Sequence, residues 1–294
     1  MFRKAEKKKA KLRLAITGTA GSGKTYGALL IAKGLGGRIA MIDTENGSGD
    51  LYADLFDYDI CNISAPYDVQ KYIQAIHDAE NAGYDIIIID SLSHAWAGEG
   101  GLLDVQSKIA ESQRGGNSYT AWRKVTPMQN QLIETILSSK CHIIATMRSK
   151  TDYIMSENER GRTEIKKVGL APVQREGVEY EFSVVFDLSV NHTASVSKDR
   201  TSLFDGKVFA LSEEIGFQLL KWLDKGVEDL RPLANEVWRK FLNFYGTQNE
   251  AMKAIQNNIG AKNSWDLTKE DLAKLEEFLQ IQQQTQQEEN NNAD

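Results

Sequence analysis

Eight consecutive residues, Gly18-Thr19-Ala20-Gly21-Ser22-Gly23-Lys24-Thr25, fit the pattern G-x-x-x-x-G-K-[ST] at every fixed position. The chemistry that this pattern supports is polyphosphate binding. Glycines let the backbone curl so that successive N–H groups point inward at phosphate oxygens. A helix that starts at the end of the loop adds partial positive charge. Lys24 then reaches the β- and γ-phosphates, the Thr25 hydroxyl ligates Mg²⁺, and the cradle extends to Tyr26. Asp90 is a second group with chemical reach, because it ends the run Ile86-Ile87-Ile88-Ile89. An acid at the end of a buried strand, beside such a loop, is placed to hold Mg²⁺, usually through water.

The elements needed to position these groups are legible around them. Leu12, Leu14 and Ile16 alternate with polar residues ahead of the loop, as in a short strand, and Ala28, Leu29, Ile31 and Ala32 follow it as a helix. Arg38 to Asp43 reads as a strand and Asp68 to Ala82 as a helix with Val69, Tyr72, Ile73 and Ile76 on one face. The isoleucine run is a central parallel strand covered on both faces. Trp122 to Ser139 reads as a helix despite Pro127, and His142 to Met147 as another buried strand. Val184 to Val190 and Thr193 to Ser197 read as a strand pair turned at Asn191-His192. This alternation predicts an α/β fold with a mainly parallel twisted sheet flanked by helices. From about Glu228 the pattern becomes helical, with Thr268 and Asp271 as a helix start. The expected organisation is a basic arm (1–11), a core (12–227), a small helical domain (228–279) and a disordered Gln/Asn-rich tail (280–294).

Phosphate loop, Ile42-Asp43-Thr44-Glu45, Ile89-Asp90-Ser91 and Lys198-Asp199-Arg200 stand in the order found in RecA-superfamily P-loop ATPases. The stretch from about Leu12 to Ala210 most resembles the bacteriophage ATP-binding proteins of single-strand annealing and recombination. AAA+ proteins place their water-activating Glu directly after the Mg²⁺ acid, whereas Ser91 stands there in this chain. The resemblance implies that Glu45 takes that part, activating the attacking water. It implies a γ-phosphate sensor at the end of the 142–147 strand, Thr146 by its hydroxyl or Arg148 by its charge. It also implies that Lys198 and Arg200 reach the nucleotide site of a neighbouring subunit in a homo-oligomer, ring or filament. ATP as the nucleotide comes from the resemblance too. The plainer alternatives are a solvated loop Glu, a loop-anchoring Arg and an exposed basic turn.

The segment from Arg148 to Gly177 is long, polar and basic, and reads as a loop. It falls where RecA-type proteins carry a mobile DNA-binding loop. Lys150, Arg160, Arg162, Lys166, Lys167 and Arg175 would contact single-stranded DNA through phosphates, with Trp96 or Tyr119 stacking on bases. The acids Asp152, Glu157, Glu159, Glu164 and Glu176 leave a solvated lid as the alternative.

The 294-residue chain is 41% hydrophobic and 26% charged, enough for one large core and a small appendage. It has no run of about 18 apolar residues, which argues against a membrane span. Its basic start lacks the apolar stretch of a secretion signal. Cys61 and Cys141 read as buried thiols in a reducing cytoplasm, and four scattered histidines give no zinc spacing. With a net charge of −6, any nucleic-acid surface must be local. The implied activity is a Mg²⁺-dependent ATPase that binds single-stranded DNA as an oligomer. It would support phage recombination, annealing or replication, with a replication or single-strand-binding protein as partner of the helical domain. The alternatives are a hexameric RecA-like helicase or translocase, and an ATP-gated recruitment switch that does not touch DNA.

Overall fold

The computed structural model describes residues 4–112, 118–157, 163–260 and 267–291. They form two compact units, one of residues 10–225 and one of 1–9 with 226–294.

In the larger unit β1 (Arg13–Gly18) leads into α1 (Lys24–Leu35) and β2 (Ile39–Asp43). β3 (Asp59–Asn62), α2 (Val69–Asn81), β4 (Ile86–Asp90), α3 (Ser93–Ala97) and α4 (Leu102–Ser112) follow. Then come α5 (Ser118–Ser138), β5 (His142–Glu157), β6 (Thr163–Pro172), β7 (Val184–Leu188), β8 (Thr193–Asp199), β9 (Phe209–Ala210) and α6 (Glu213–Leu223). The strands lie in the order β3-β2-β4-β5-β1-β7-β8-β9, with β6 paired to β5. β1, β2, β3, β4, β5 and β7 run parallel, and β6, β8 and β9 add antiparallel pairs.

Alternation along β4 shows why the sheet needs helices on both sides. Ile87 and Ile89 join one apolar cluster with Tyr72 and Ile76 of α2 and with Leu132 and Ile136 of α5. Ile86 and Ile88 join the other, with Leu29 and Ile31 of α1 and with Leu219 and Leu223 of α6. All four isoleucines are fully buried, as a central parallel strand requires. The register then does the positioning. Gly18 pairs with Arg148 on one side and Leu188 on the other, and Asp43 pairs with Asp90. The C-terminal ends of β1, β2 and β4 and residue Arg148 of β5 therefore meet at one edge, where open α/β sheets bind ligands.

Several expectations need correction. The long basic loop is instead a ribbon. β5 continues past the sheet to Glu157 and pairs antiparallel with β6, from Ser149↔Pro172 to Glu157↔Thr163, with a bulge at Asp152/Tyr153. Thr151, Tyr153, Ile154 and Val168 are β-formers, and cross-strand pairing satisfies the backbone that a loop would leave to water. Cys61 is exposed, because it lies on the edge strand β3, while Cys141 is buried; both are free thiols.

The smaller unit contains α7 (Arg231–Tyr245), α8 (Gln248–Ile259) and α9 (Lys269–Asn291), packed around Val237, Phe241, Leu272 and Leu275. Thr268 caps α9. Its Oγ1 accepts from Asp271 N at 3.1 Å while its own N donates to Asp271 Oδ2 at 2.9 Å. The tail expected to be disordered continues α9 to Asn291. Gln and Glu are good helix formers, and nothing after Gln280 breaks the helix. The basic arm is also anchored within this unit: Lys9 N donates to Val227 O at 2.8 Å and Val227 N to Lys7 O at 2.9 Å. Among the described residues no helix is long and apolar enough to cross a membrane.

Candidate functional site

The loop between β1 and α1 has the geometry that its glycines allow. Gly21 and Gly23 adopt φ +74° and +86°, in the left-handed region that side chains avoid. No side chain caps the start of α1, so its first N–H groups remain available to an anion. Ser22 is fully buried, and its Oγ has no partner among the described residues. Lys24 Nζ folds back to donate to Thr19 O at 2.9 Å. Burial pushes the Lys24 pKa down against the opposing pull of Asp90 and Glu45. Tyr26, 40% exposed, packs against Tyr52 and Phe56 at ring distances of 5.8 and 5.5 Å.

Asp90 joins the loop to the sheet. Its Oδ2 accepts from Thr25 Oγ1 at 2.5 Å, and its Oδ1 accepts from Thr146 Oγ1. Burial raises its pKa, although both hydroxyls work the other way. A buried carboxylate bridged to the Thr25 and Thr146 hydroxyls at the end of the phosphate loop fits a Mg²⁺ site. The donors are hard oxygens, and no group of three or more His, Cys, Asp or Glu among the described residues makes an all-protein cage. Mg²⁺ characteristically takes one or two protein oxygens and completes its shell with phosphate and water. Thr25 and Asp90 would hold it.

Glu45 stands at the same edge, in the loop after β2. That loop is set by Asp43, whose Oδ1 accepts from Glu45 N at 2.6 Å and whose Oδ2 accepts from Gly49 N at 3.3 Å. Glu45 Oε1 accepts from Arg148 Nε at 2.9 Å and from Ser91 Oγ at 3.0 Å, and Oε2 accepts from Arg148 Nη2. Burial raises the Glu45 pKa, but the Arg148 hydrogen bonds and charge outweigh it and hold the carboxyl below its ordinary range. The Thr44 hydroxyl binds the other end of this constellation. It accepts from Ser91 N at 2.9 Å and lies 2.8 Å from His94 Nδ1, whose ring stacks on Tyr67. The expected water activator and one of the two expected sensors, Arg148, thus form one ion pair, while the other, Thr146, donates to Asp90; the residue pattern reveals neither contact.

Arg148 also roots the ribbon. Its N donates to Ser93 Oγ at 2.9 Å and its O accepts from Val173 N at 2.6 Å. Gln174, just past β6, donates to Leu92 O at 3.1 Å. The base of the ribbon is therefore tied to the segment after Asp90. Of the proposed DNA contacts, Lys150 is exposed and Arg175, just past β6, is half-buried, both at the base of the ribbon. Lys166 and Lys167 lie on β6 opposite Ile154 and Tyr153. Arg160 and Arg162 lie outside the described residues. Trp96 stacks on Trp122 at 5.6 Å, which uses one face of its ring inside the protein, whereas Tyr119 is exposed.

Lys198 and Arg200 do not approach the phosphate loop of their own chain. Lys198 pairs with Val185, level with Ala15, while Gly18 is level with Leu188 and Ala194. The Lys198 ammonium donates to Glu179 O at 3.3 Å and to Tyr180 O, and Arg200 Nη2 donates to Tyr180 O at 3.4 Å. His192, in the β7–β8 turn, does reach the loop, with Nδ1 3.1 Å from Ser22 O. In the sequence it stands out only as part of the Asn191-His192 turn. The one signal for it was a His where a tight turn favours Gly or Asn.

A family model described as an AAA domain (AAA_24) matches residues 10–209. No curated protein matches. One solved structure is described as a prototypical ATPase from the type III secretion system of pathogenic bacteria. It is 12% identical over 91% of this chain and 81% of that one, with a TM-score of 0.36. That superposition is too loose to bear on fold or function.

Proposed function

The chain belongs to the AAA_24 family of AAA domains, and from that premise we propose that it is a Mg²⁺-dependent ATPase that binds single-stranded DNA as an oligomer and supports phage DNA recombination, annealing or replication. The observation that carries the ATPase reading is the bridge from Asp90 to Thr25 and Thr146, set beside Lys24 and one residue from the Ser91 contact to Glu45. Loop amides and Lys24 hold the phosphates of ATP. Thr25 and Asp90 would hold Mg²⁺, which would supply positive charge to the phosphates. The γ-phosphate draws Arg148 away from Glu45 and replaces the carboxylate as its anionic partner. Glu45, released, orients a water and accepts its proton as the water oxygen attacks the γ-phosphorus and the bond to the β-phosphate oxygen breaks. The carboxylate comes from the loop after β2 because Ser91 occupies the position next to Asp90.

The DNA reading draws on the ribbon rooted at Arg148. A side chain that leaves Glu45 for a phosphate would shift the base of an arm rich in Lys and Arg, coupling nucleotide state to strand binding. Lys198 and Arg200 serve a neighbouring subunit in this reading, since their own loop lies at the other end of the strands. The test is ATP hydrolysis by the full chain with and without single-stranded DNA, at low and moderate salt. Stimulation that fades with salt is expected. Hydrolysis indifferent to DNA would overturn the strand-binding half and leave an ATP-gated recruitment switch.

A further inference from the structure

Beside the phosphate loop lies a cleft of about 510 Å³ lined by Gly23, Tyr26, Tyr52, Leu188, His192 and Leu211, among others. Its walls are mainly apolar and aromatic, as a purine site requires, and it adjoins the loop that would hold the phosphates. His192 is the one imidazole on it. The residue has φ +61°, a conformation that Gly or Asn would adopt with less strain. What it gains is a contact. A Cβ built on Gly23 would meet His192 Nδ1 at 3.0 Å, so the Nδ1 edge is the one turned to the loop.

That contact determines the tautomer. Ser22 O is a carbonyl and can only accept, so Nδ1 carries the hydrogen and donates. In the neutral ring Nε2 is then an acceptor, on the side of the imidazole away from the loop. Adenine has one exocyclic donor, the 6-amino group, whereas guanine and hypoxanthine carry an acceptor oxygen at that position. We propose that His192 selects adenine nucleotides by accepting a hydrogen bond from the 6-amino group at Nε2. This rests on the ATPase reading, which places a nucleotide on the loop, and it names the residue that sets base preference. His192 is solvent-exposed, so the preference is modest, about tenfold, the worth of one hydrogen bond that competes with water.

The experiment is titration calorimetry of the full chain with Mg²⁺ at pH 8, using the imido analogues of ATP and GTP and N6,N6-dimethyl-ATP. Wild type should bind the ATP analogue about tenfold more tightly than the GTP analogue, and dimethylation should remove that advantage. His192→Asn suits the turn's positive φ and is too short to reach the base. It should bring the two analogues within about twofold of each other by weakening the ATP analogue. Equal binding by wild type, a preference for guanine, or a tenfold preference that survives both His192→Asn and dimethylation would overturn the inference while leaving a working phosphate site. Binding of neither analogue would overturn the nucleotide reading itself, and this inference with it.

Discussion

Arg148 Nε donates to Glu45 Oε1 at 2.9 Å, joining the last sheet-bound residue of β5 to the loop after β2. In this state the carboxylate that would accept a proton is neutralised by the cation that would sense the γ-phosphate. Each becomes available when the other is displaced.

Arg148→Ala should therefore slow ATP turnover about 10²-fold, because losing a cation at the γ-phosphate costs more than freeing Glu45 gains. Nucleotide affinity should change far less, since the loop and Lys24 remain. Steady-state hydrolysis measured beside analogue binding checks this. Faster turnover would mean that the pair only restrains Glu45.

The same pair makes acid stability predictable. Glu45 is held below its ordinary range, so its contribution is fully present above the unfolded carboxylate value of about 4.3 and is lost as pH falls through the lower folded value. The Arg148 side chain is 48% exposed, which limits the pair to less than about 1 kcal/mol. Urea unfolding of wild type and Arg148→Ala should differ most near about pH 7 and converge as pH falls through the depressed folded value of Glu45. A difference independent of pH would show that Arg148 acts through packing.

Asp90 has the opposite sign. Burial raises its pKa, so ionisation disfavours the folded chain as pH rises above the unfolded value of about 3.9. Asp90→Asn should leave the nucleotide-free Tm at pH 7 unchanged or raise it by about 1–3 °C. It should also abolish the further rise that Mg²⁺ with ADP gives wild type. Thermal unfolding with and without that ligand reads both effects. A large fall in the free protein with the Mg²⁺ response intact would remove Asp90 from the metal site.

Reversing both Lys166 and Lys167 to Glu should weaken single-stranded DNA binding and flatten the plot of log K against log salt by about 1.5 or more, the slope carried by two phosphate contacts. Fluorescence anisotropy across a salt series measures it. An unchanged slope would leave the ribbon as a lid.

What was legible in the residues was what is local. The phosphate loop occupies eight positions in a row, and the isoleucines of β4 announce a buried strand that ends in Asp90. What was not legible depends on strand order. Glu45 and Arg148 meet because β4 lies between β2 and β5, which no spacing within either segment encodes. His192 reaches Ser22 only because β7 pairs with β1. The ribbon reads as a loop in the residues because glycines and charges flank its β-formers. The tail reads as disordered because few apolar residues follow Gln280, although Gln and Glu sustain a helix to Asn291.

The most direct test is Glu45→Gln, which keeps the size and the Ser91 contact but cannot accept a proton. Single-turnover hydrolysis of ATP should fall by about 10²–10³-fold while the ATP analogue binds within about threefold of wild type. Wild-type hydrolysis by Glu45→Gln would contradict the account at its centre, because the water would then be activated from elsewhere.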